Sequence, residues 1–498
     1  MTQTRRRRAA RVLAAAAVLA ALPAASAHAS TNQRSIIQDD RHLLLMGSAV
    51  QAQYLNDAQA LGADIVRANV AWAKFAPKPR SKKRPKHFNG ANPKAYGKRL
   101  AILDSLVSAA QARGLQVLLT PTGPGPKWAS RCAHKTSTCK PSSTEFGRFV
   151  RALGKRYRSV KLWSIWNEPN LKAWLSPQYT ARGSHPVLES AVLYRSLARS
   201  AIAALRATGH KRHTILLGET APVGLDPAVC NLRPSRSRPG CIKSRPSSRP
   251  EDFLRALFCL KSNGHSLTGS ARRDEHCTGH YSKFRVSGFA HHPYTSGAAQ
   301  PPLSRPSAHN ITIAVTSRLT RLLDQAGRRG RIPSKLPIYF TENGWQTNPP
   351  DRTFGVSFAQ QAAYMNQSDW ISYRNPRVKS VSQYEIVDDP LNAAFQTGVR
   401  LADGAPKPSY DAYRLPIWVS GKGSKAKLYG QVRPAADSTP QTVEIQHAAG
   451  AGSAFQTVQT VTVSSKKGQF TQSVPNQGGL WRLRWNGIVS REAEVAPR

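Results

Sequence analysis

Two glutamates follow short apolar runs in aromatic, amide-rich company. One ends Lys161-Leu162-Trp163-Ser164-Ile165-Trp166-Asn167-Glu168-Pro169-Asn170, and the other lies in Leu336-Pro337-Ile338-Tyr339-Phe340-Thr341-Glu342-Asn343-Gly344-Trp345. Two carboxyl groups about 5 to 5.5 Å apart can cleave a glycosidic bond by double displacement, one as nucleophile and one as acid/base; a gap of about 6.5 to 9.5 Å admits water for single displacement. Either chemistry requires a fold that returns distant segments to one pocket.

The surrounding pattern supplies such a fold. Strand-like runs at 42–46, 65–70, 116–120, 160–166, 214–217, 286–291, 337–341 and 378–384 alternate with amphipathic stretches at 95–113, 144–157, 188–205, 250–261, 311–326 and 358–373. Leu100, Leu103, Leu106 and Val107 recur at helical spacing, as do Leu193, Leu197 and Ile202. Gly114, Gly209 and Gly330 follow the apolar periods where a left-handed residue ends a helix. Strands separated by helices imply parallel pairing, and closure of eight such units gives an α/β fold of the (β/α)8 TIM-barrel kind, over residues 30–420. A doubly wound open sheet would need a glycine-rich phosphate loop after an early strand, and the sequence has none. In the barrel, both glutamates reach the C-terminal mouth.

Two regions depart from this rhythm. Residues 225–285 form a long insertion rich in Arg, Ser and Pro, with four of the six cysteines. Residues 421–426 read as a linker, and 427–498 hold alternating runs at 442–446, 455–463, 470–474 and 480–485 between turn residues, the pattern of a small C-terminal all-β sandwich.

Trp-Asn-Glu-Pro-Asn on the fourth strand and Thr-Glu-Asn-Gly-Trp on the seventh resemble the two catalytic segments of the clan A retaining glycoside hydrolases, with features of families 5 and 39. The resemblance implies that Glu168 is the acid/base and Glu342 the nucleophile, and that Asn167 holds the sugar 2-hydroxyl. It also implies that Arg67, in Ile65-Val66-Arg67-Ala68-Asn69, pairs with the nucleophile, and that His292 and Tyr294, in His291-His292-Pro293-Tyr294, stand beside it. Trp345, Trp72, Trp128 and Tyr384 are candidate aromatic faces for sugar C–H groups, with Trp345 foremost. Glu219, Glu385, Asp388 and Asp389 also lie near strand ends and read as solvated loop acids. No metal or organic cofactor is called for.

Residues 1–29 carry the marks of an export signal: a basic start from Arg5 to Arg11, an apolar stretch at 12–22 and the small-x-small site Ala27-His28-Ala29. An extracellular location suits the cysteines, which fall into couples Cys132/Cys139, Cys230/Cys241 and Cys259/Cys277 and read as loop disulfides, since no zinc-ligand spacing accompanies them. No apolar run is long enough for a membrane span. The chain is strongly basic, with 72 Lys plus Arg against 27 Asp plus Glu and a formal charge of +45. Such a balance attracts polyanions, so an anionic polysaccharide or cell-wall polymer is a candidate partner beside the carbohydrate substrate. No nucleic-acid module accompanies the charge. The leading expectation is a secreted retaining glycosidase. Its rivals are a non-catalytic polysaccharide binder on a barrel scaffold and, on charge alone, an exported nucleic-acid binder.

Overall fold

The computed structural model describes residues 30–132, 138–182, 185–225, 247–297, 299–390 and 395–497. The proposed export signal and the Cys230/Cys241 couple lie outside them. Eight parallel strands form a nearly closed barrel: β1 (Arg34–Gln38), β2 (Ile65–Ala71), β3 (Gln116–Thr122), β4 (Leu162–Ser164), β5 (Thr214–Thr220), β6 (Gly288–His291), β7 (Ile338–Phe340) and β8 (Ser380–Tyr384), with β8 paired to β1. Between β7 and β8 the seam is bridged at Ile338 and Val378 and by the Ser380 hydroxyl donating to the Phe340 carbonyl.

Seven of the eight strands fall where the sequence pattern predicts, and the first does not. The run at 42–46, expected as a strand, lies largely in the helix Asp40–Leu44, and β1 precedes it. Asp39 decides the boundary: its carboxylate accepts the His42 amide as a helix cap, so extended backbone ends at Gln38. Other helix starts are equally local. Ser142 caps Ser143–Arg156 by accepting the Glu145 amide, and Ser357 with Gln360 makes a capping box at the start of Phe358–Tyr373.

The period of two along the strands divides the barrel interior into layers. Ile36, Ile65, Leu118, Leu162, Leu216 and Ala290 form an apolar floor. One pleat further along lie Gln38 above Ile36, Arg67 above Ile65 and Thr120 above Leu118, all buried. Alternate residues such as Ile37, Val66, Leu119 and Trp163 face outward into the main core, with helix residues such as Leu103, Phe149 and Leu197. An apolar plug therefore carries a polar layer towards the mouth.

In the insertion, the described part holds helices Pro250–Phe258 and Gly269–Asp274, joined by a Cys259–Cys277 disulfide; Cys132–Cys139 is the second disulfide. Both pairings agree with the expected couples. Residues 421–426, expected as a linker, form a β-hairpin instead: Ile417–Lys422 pairs with Lys425–Gln431. This hairpin belongs to one of two four-stranded sheets that stack as a sandwich around Val419, Leu428, Ile445, Trp481 and Leu483. The sandwich is docked on the barrel. Arg433 donates to the Tyr413 carbonyl and to Asp369, Arg491 donates to Asn366, and Tyr429 packs on Trp370 and Tyr373. Gly62 has φ +77, and an added Cβ there would come within 2.7 Å of the Pro434 backbone, so the residue is fixed by both conformation and proximity. Among the described residues no helix is long and apolar enough to cross a membrane.

Candidate active site

The polar layer rises into a cavity of about 390 Å3 at the C-terminal mouth. Glu168 and Glu342 both line it, with Asn167, Tyr294 and Tyr384. One carboxylate oxygen from each glutamate and a ring nitrogen of His292 lie within 4.8 Å of one another. The His292 Nδ1 is 3.0 Å from Glu168 Oε1 and 3.3 Å from Glu342 Oε2.

Arg67 organises the other side. Its Nη1 donates to Glu342 Oε1 at 2.7 Å, and its Nη2 donates to Asn167 Oδ1 at 2.7 Å and to Asn69 Oδ1 at 3.1 Å. Its Nε and Nη2 grip Glu219 as a fork, at 3.0 and 2.5 Å. Fork geometry of this kind fixes orientation as well as charge. Tyr294 donates to Glu342 Oε2 at 3.3 Å. Each oxygen of Glu342 is thereby held by a side chain from another strand end. The buried guanidinium is lowered by desolvation, but Glu219 and Glu342 more than restore it, and it stays above its usual range. Burial likewise opposes charge on His292; the Glu342 charge and the Glu168 hydrogen bond outweigh it and raise the imidazole above its ordinary value. Burial and the negative charge of Glu342 push the Tyr294 hydroxyl well up, so it acts as a donor.

Local backbone aims these groups. Trp166, Glu168 and Glu219 all adopt left-handed conformations, with φ of 66°, 39° and 54°. Non-glycine residues in that region carry strain that surrounding structure must hold. Here the Glu168 amide donates to the Glu219 carbonyl, the Asn167 amide to the Thr122 hydroxyl, and the Trp166 amide to the Pro121 carbonyl. The register of β5 against β6 shifts between Gly218 and Thr220, a bulge that turns Glu219 into the barrel.

Arg67, Asn167, Glu168, His292, Tyr294, Glu342 and Tyr384 thus come together at one mouth. Trp345 does not join them: its ring is buried against Tyr364, and its indole N–H donates to the Gln300 carbonyl. Trp72 stacks on Phe149 in the core, and Trp128 packs edge-on against it. Besides Tyr294, the cavity aromatics are Tyr384, an exposed Phe395 whose ring meets it at 5.3 Å, and Trp174. The near-strand acids are not solvated. Glu219 is fully buried on Arg67, Asp388 is buried on Lys407, and Glu385 is buried with its carboxyl pushed up to about 11 by desolvation and by the charges of Asp39 and Asp389. Asp40 was not singled out by the sequence. It lines the cavity, accepts from the Asn69 amide and side chain, and is raised to about 6, chiefly by burial. Two adjacent acids after β1, one capping and one free to face the mouth, were its only signal. Glu219 had a clearer one, a glycine before an acid inside an apolar strand. Glu168, His292 and Glu342 also have the donor types of a metal site, and Arg67 already supplies a positive charge to Glu342 there.

The model of the cellulase family, glycosyl hydrolase family 5, matches residues 29–248, which include Arg67, Asn167 and Glu168. No curated protein matches the chain. Solved structures with a similar backbone include a family 1 β-glucosidase from Thermotoga maritima, at 14% identity and TM-score 0.45 over 74% of this chain and 84% of its own. A glucosidase from Croceicoccus marinus gives 9% identity and TM-score 0.48 over 91% and 95%. A family 5 protein from Streptomyces cattleya, in complex with a Manβ1-4GlcNAc disaccharide, gives 16% identity and TM-score 0.47 over 76% and 79%. The family match bears out the resemblance to clan A glycoside hydrolases, and the chain is a glycosidase.

Proposed function

We propose that this glycosidase is a secreted enzyme that cleaves O-glycosidic bonds of an oligo- or polysaccharide with retention, by double displacement between Glu168 and Glu342. The observation that carries the reading is that an oxygen of each carboxylate lies within 4.8 Å of one of the other at the barrel mouth, which favours the closer of the two spacings that glycosidases use. Glu342 attacks the anomeric carbon as the glycosidic C–O bond breaks, and the leaving oxygen takes the proton of Glu168. A glycosyl ester on Glu342 results. Water then attacks the same carbon, gives a proton to the Glu168 carboxylate and releases Glu342. Asn167, oriented by Arg67, is placed to meet the sugar 2-hydroxyl, where a contact strengthens as positive charge develops.

The cavity favours a neutral sugar. Its charged lining is Asp40, Glu168 and Glu342, with no Lys or Arg among the described lining residues. A uronate carboxylate at the reacting ring would face three acids. The two disulfides are compatible with the extracellular location that the leader suggests.

The test is Glu342→Ala assayed on activated aryl glycosides of neutral sugars. Turnover should fall by at least about 10⁴-fold, with azide restoring product as a glycosyl azide of inverted configuration. Undiminished turnover in the variant, or a wild-type product of inverted configuration, would sink the proposal.

A further inference from the structure

A second concavity, of about 530 Å3, opens at the opposite end of the barrel, where β5 and β6 begin. It has the size of a ligand cleft. Its walls carry Arg206, Lys211, Arg212, Lys283 and Arg285, and no acid is among the described lining residues. None of the five cations has a carboxylate partner among the described residues. With 72 Lys plus Arg against 27 acids, unpaired surface cations are common in this chain, but here five converge on one concavity. A set of like charges on one small surface costs self-repulsion unless an anion neutralises it.

The cations stand on a stiff frame. Arg206 lies in the last turn of the helix Glu189–Ala207, and Lys211 and Arg212 follow in the short turn His210–Arg212. That turn is pinned by buried His210, whose ring bonds the Gly154 carbonyl and the Trp163 indole N–H. Lys283 and Arg285 alternate with buried Phe284 and Val286, and Phe284 is fixed by its amide on the Arg331 carbonyl. The two segments are tied together by the Ile215 amide on the Ser287 hydroxyl and the Ser287 amide on the Ile215 carbonyl. Helix-end electrostatics account for Arg206 and leave Lys283 and Arg285 unexplained.

We propose that this concavity binds an acidic glycan strand, whose carboxylates pair with Lys211, Arg212 and Arg285 while its C–H faces meet the part-exposed Pro333. Such a site anchors the enzyme to a polyanion that its own catalytic cavity, lined by acids, does not take. Nucleic acid fits less well. Phe284, the aromatic of the lining, is buried and offers no face to a base, and stacking is what single-stranded sites use.

The experiment compares two variants of equal charge in the full chain: Lys211→Gln/Arg212→Gln/Arg285→Gln at the concavity, and Lys422→Gln/Lys425→Gln/Lys427→Gln on the exposed sandwich hairpin. The probe is a defined oligogalacturonate, titrated at low and at near-physiological salt. The concavity variant should lose at least about tenfold in affinity and show a shallower salt dependence, the hairpin variant should stay within about twofold of wild type, and both should hydrolyse neutral glycosides at the wild-type rate. Glu342→Ala should bind the probe as wild type does, so anchoring and catalysis fail separately. Equal losses in the two variants would assign the binding to diffuse surface charge and overturn the site. A single-stranded oligonucleotide of equal charge that binds more tightly, with the same loss in the concavity variant, would overturn the glycan as its ligand.

Discussion

The two ends of the barrel carry charge in opposite ways. At the C-terminal mouth, Glu219, Glu342 and Arg67 are buried and each oxygen of Glu342 has a partner. At the N-terminal end of β5 and β6, five cations face water without acids. Buried charge in a low dielectric is strong, fixed and barely screened, which suits bond cleavage at one atom. Exposed charge is weak per contact and salt-sensitive, which suits reversible hold on a polymer. The same contrast appears in what removal costs.

The largest effect is expected at Arg67. Replacing it by Met leaves Glu219 and Glu342 buried without their counter-charge, and breaking a buried pair from one side costs about 3 to 5 kcal/mol. Urea denaturation should show a loss of that order, together with loss of turnover. Lys211→Gln, at the other end, should leave the denaturation midpoint within about 0.5 kcal/mol of wild type. Comparable losses in the two variants would erase the distinction between the ends.

How far the sequence reveals this contrast differs by end. The mouth is legible because strand periodicity and two motifs converge: Glu168 and Glu342 follow counted strands, and Arg67 shares a face with Ile65. What is missed there depends on backbone detail. A bulge after Gly218 turns Glu219 inward, and a cap at Asp39 moves the first strand and frees Asp40 for the cavity. Trp345 reads as a platform because it is close to Glu342 in sequence, but its indole donates to the Gln300 carbonyl and its ring is buried on Tyr364, outside the cavity lining. At the other end nothing is legible, since Arg206, Lys211, Arg212, Lys283 and Arg285 come from two segments that meet only once β5 and β6 pair.

A second way to sharpen the comparison is ionic strength. Hydrolysis of a neutral glycoside should change less than about twofold between low and high salt, because the charges that act are buried, whereas oligogalacturonate binding should fall steeply over the same range. Turnover that tracks salt as closely as binding does would place the reacting charges in contact with solvent.

Within the mouth, Asp40 supplies a pH signature. Its folded value of about 6 lies above the usual 3.8 of an aspartate, so the carboxylate that can accept substrate hydroxyls is present above about pH 6 and protonated below it. The acid limb of kcat/KM should therefore contain a group near 6 that disappears in Asp40→Asn, with the plateau lowered. The sign for folding is opposite: a raised acid favours the folded state fully below pH 3.8, and that contribution is lost as pH rises through about 6. Asp40→Asn should accordingly gain stability relative to wild type at neutral pH and not at pH 3. An unchanged acid limb in the variant would remove Asp40 from substrate binding.

A small effect is also expected where the N-terminal end is covered. Over β1 and β2 the sandwich closes that end, and Lys467 reaches Asp64, just before β2, at 2.5 Å and Asp437 at 2.6 Å. Here a cation meets acids, as the five around β5 and β6 do not. The pair is part-exposed and short of ideal fork geometry, so Lys467→Ala should cost under about 1 kcal/mol, read as a small shift in thermal midpoint that shrinks further in high salt. Docking then rests on the buried contacts, Arg433 on Asp369 and Tyr429 on Trp370 and Tyr373. A loss several times larger in Lys467→Ala would mean that exposed charge at this end holds the fold together, and the division between a structural half and a ligand-binding half of the same barrel end would fail.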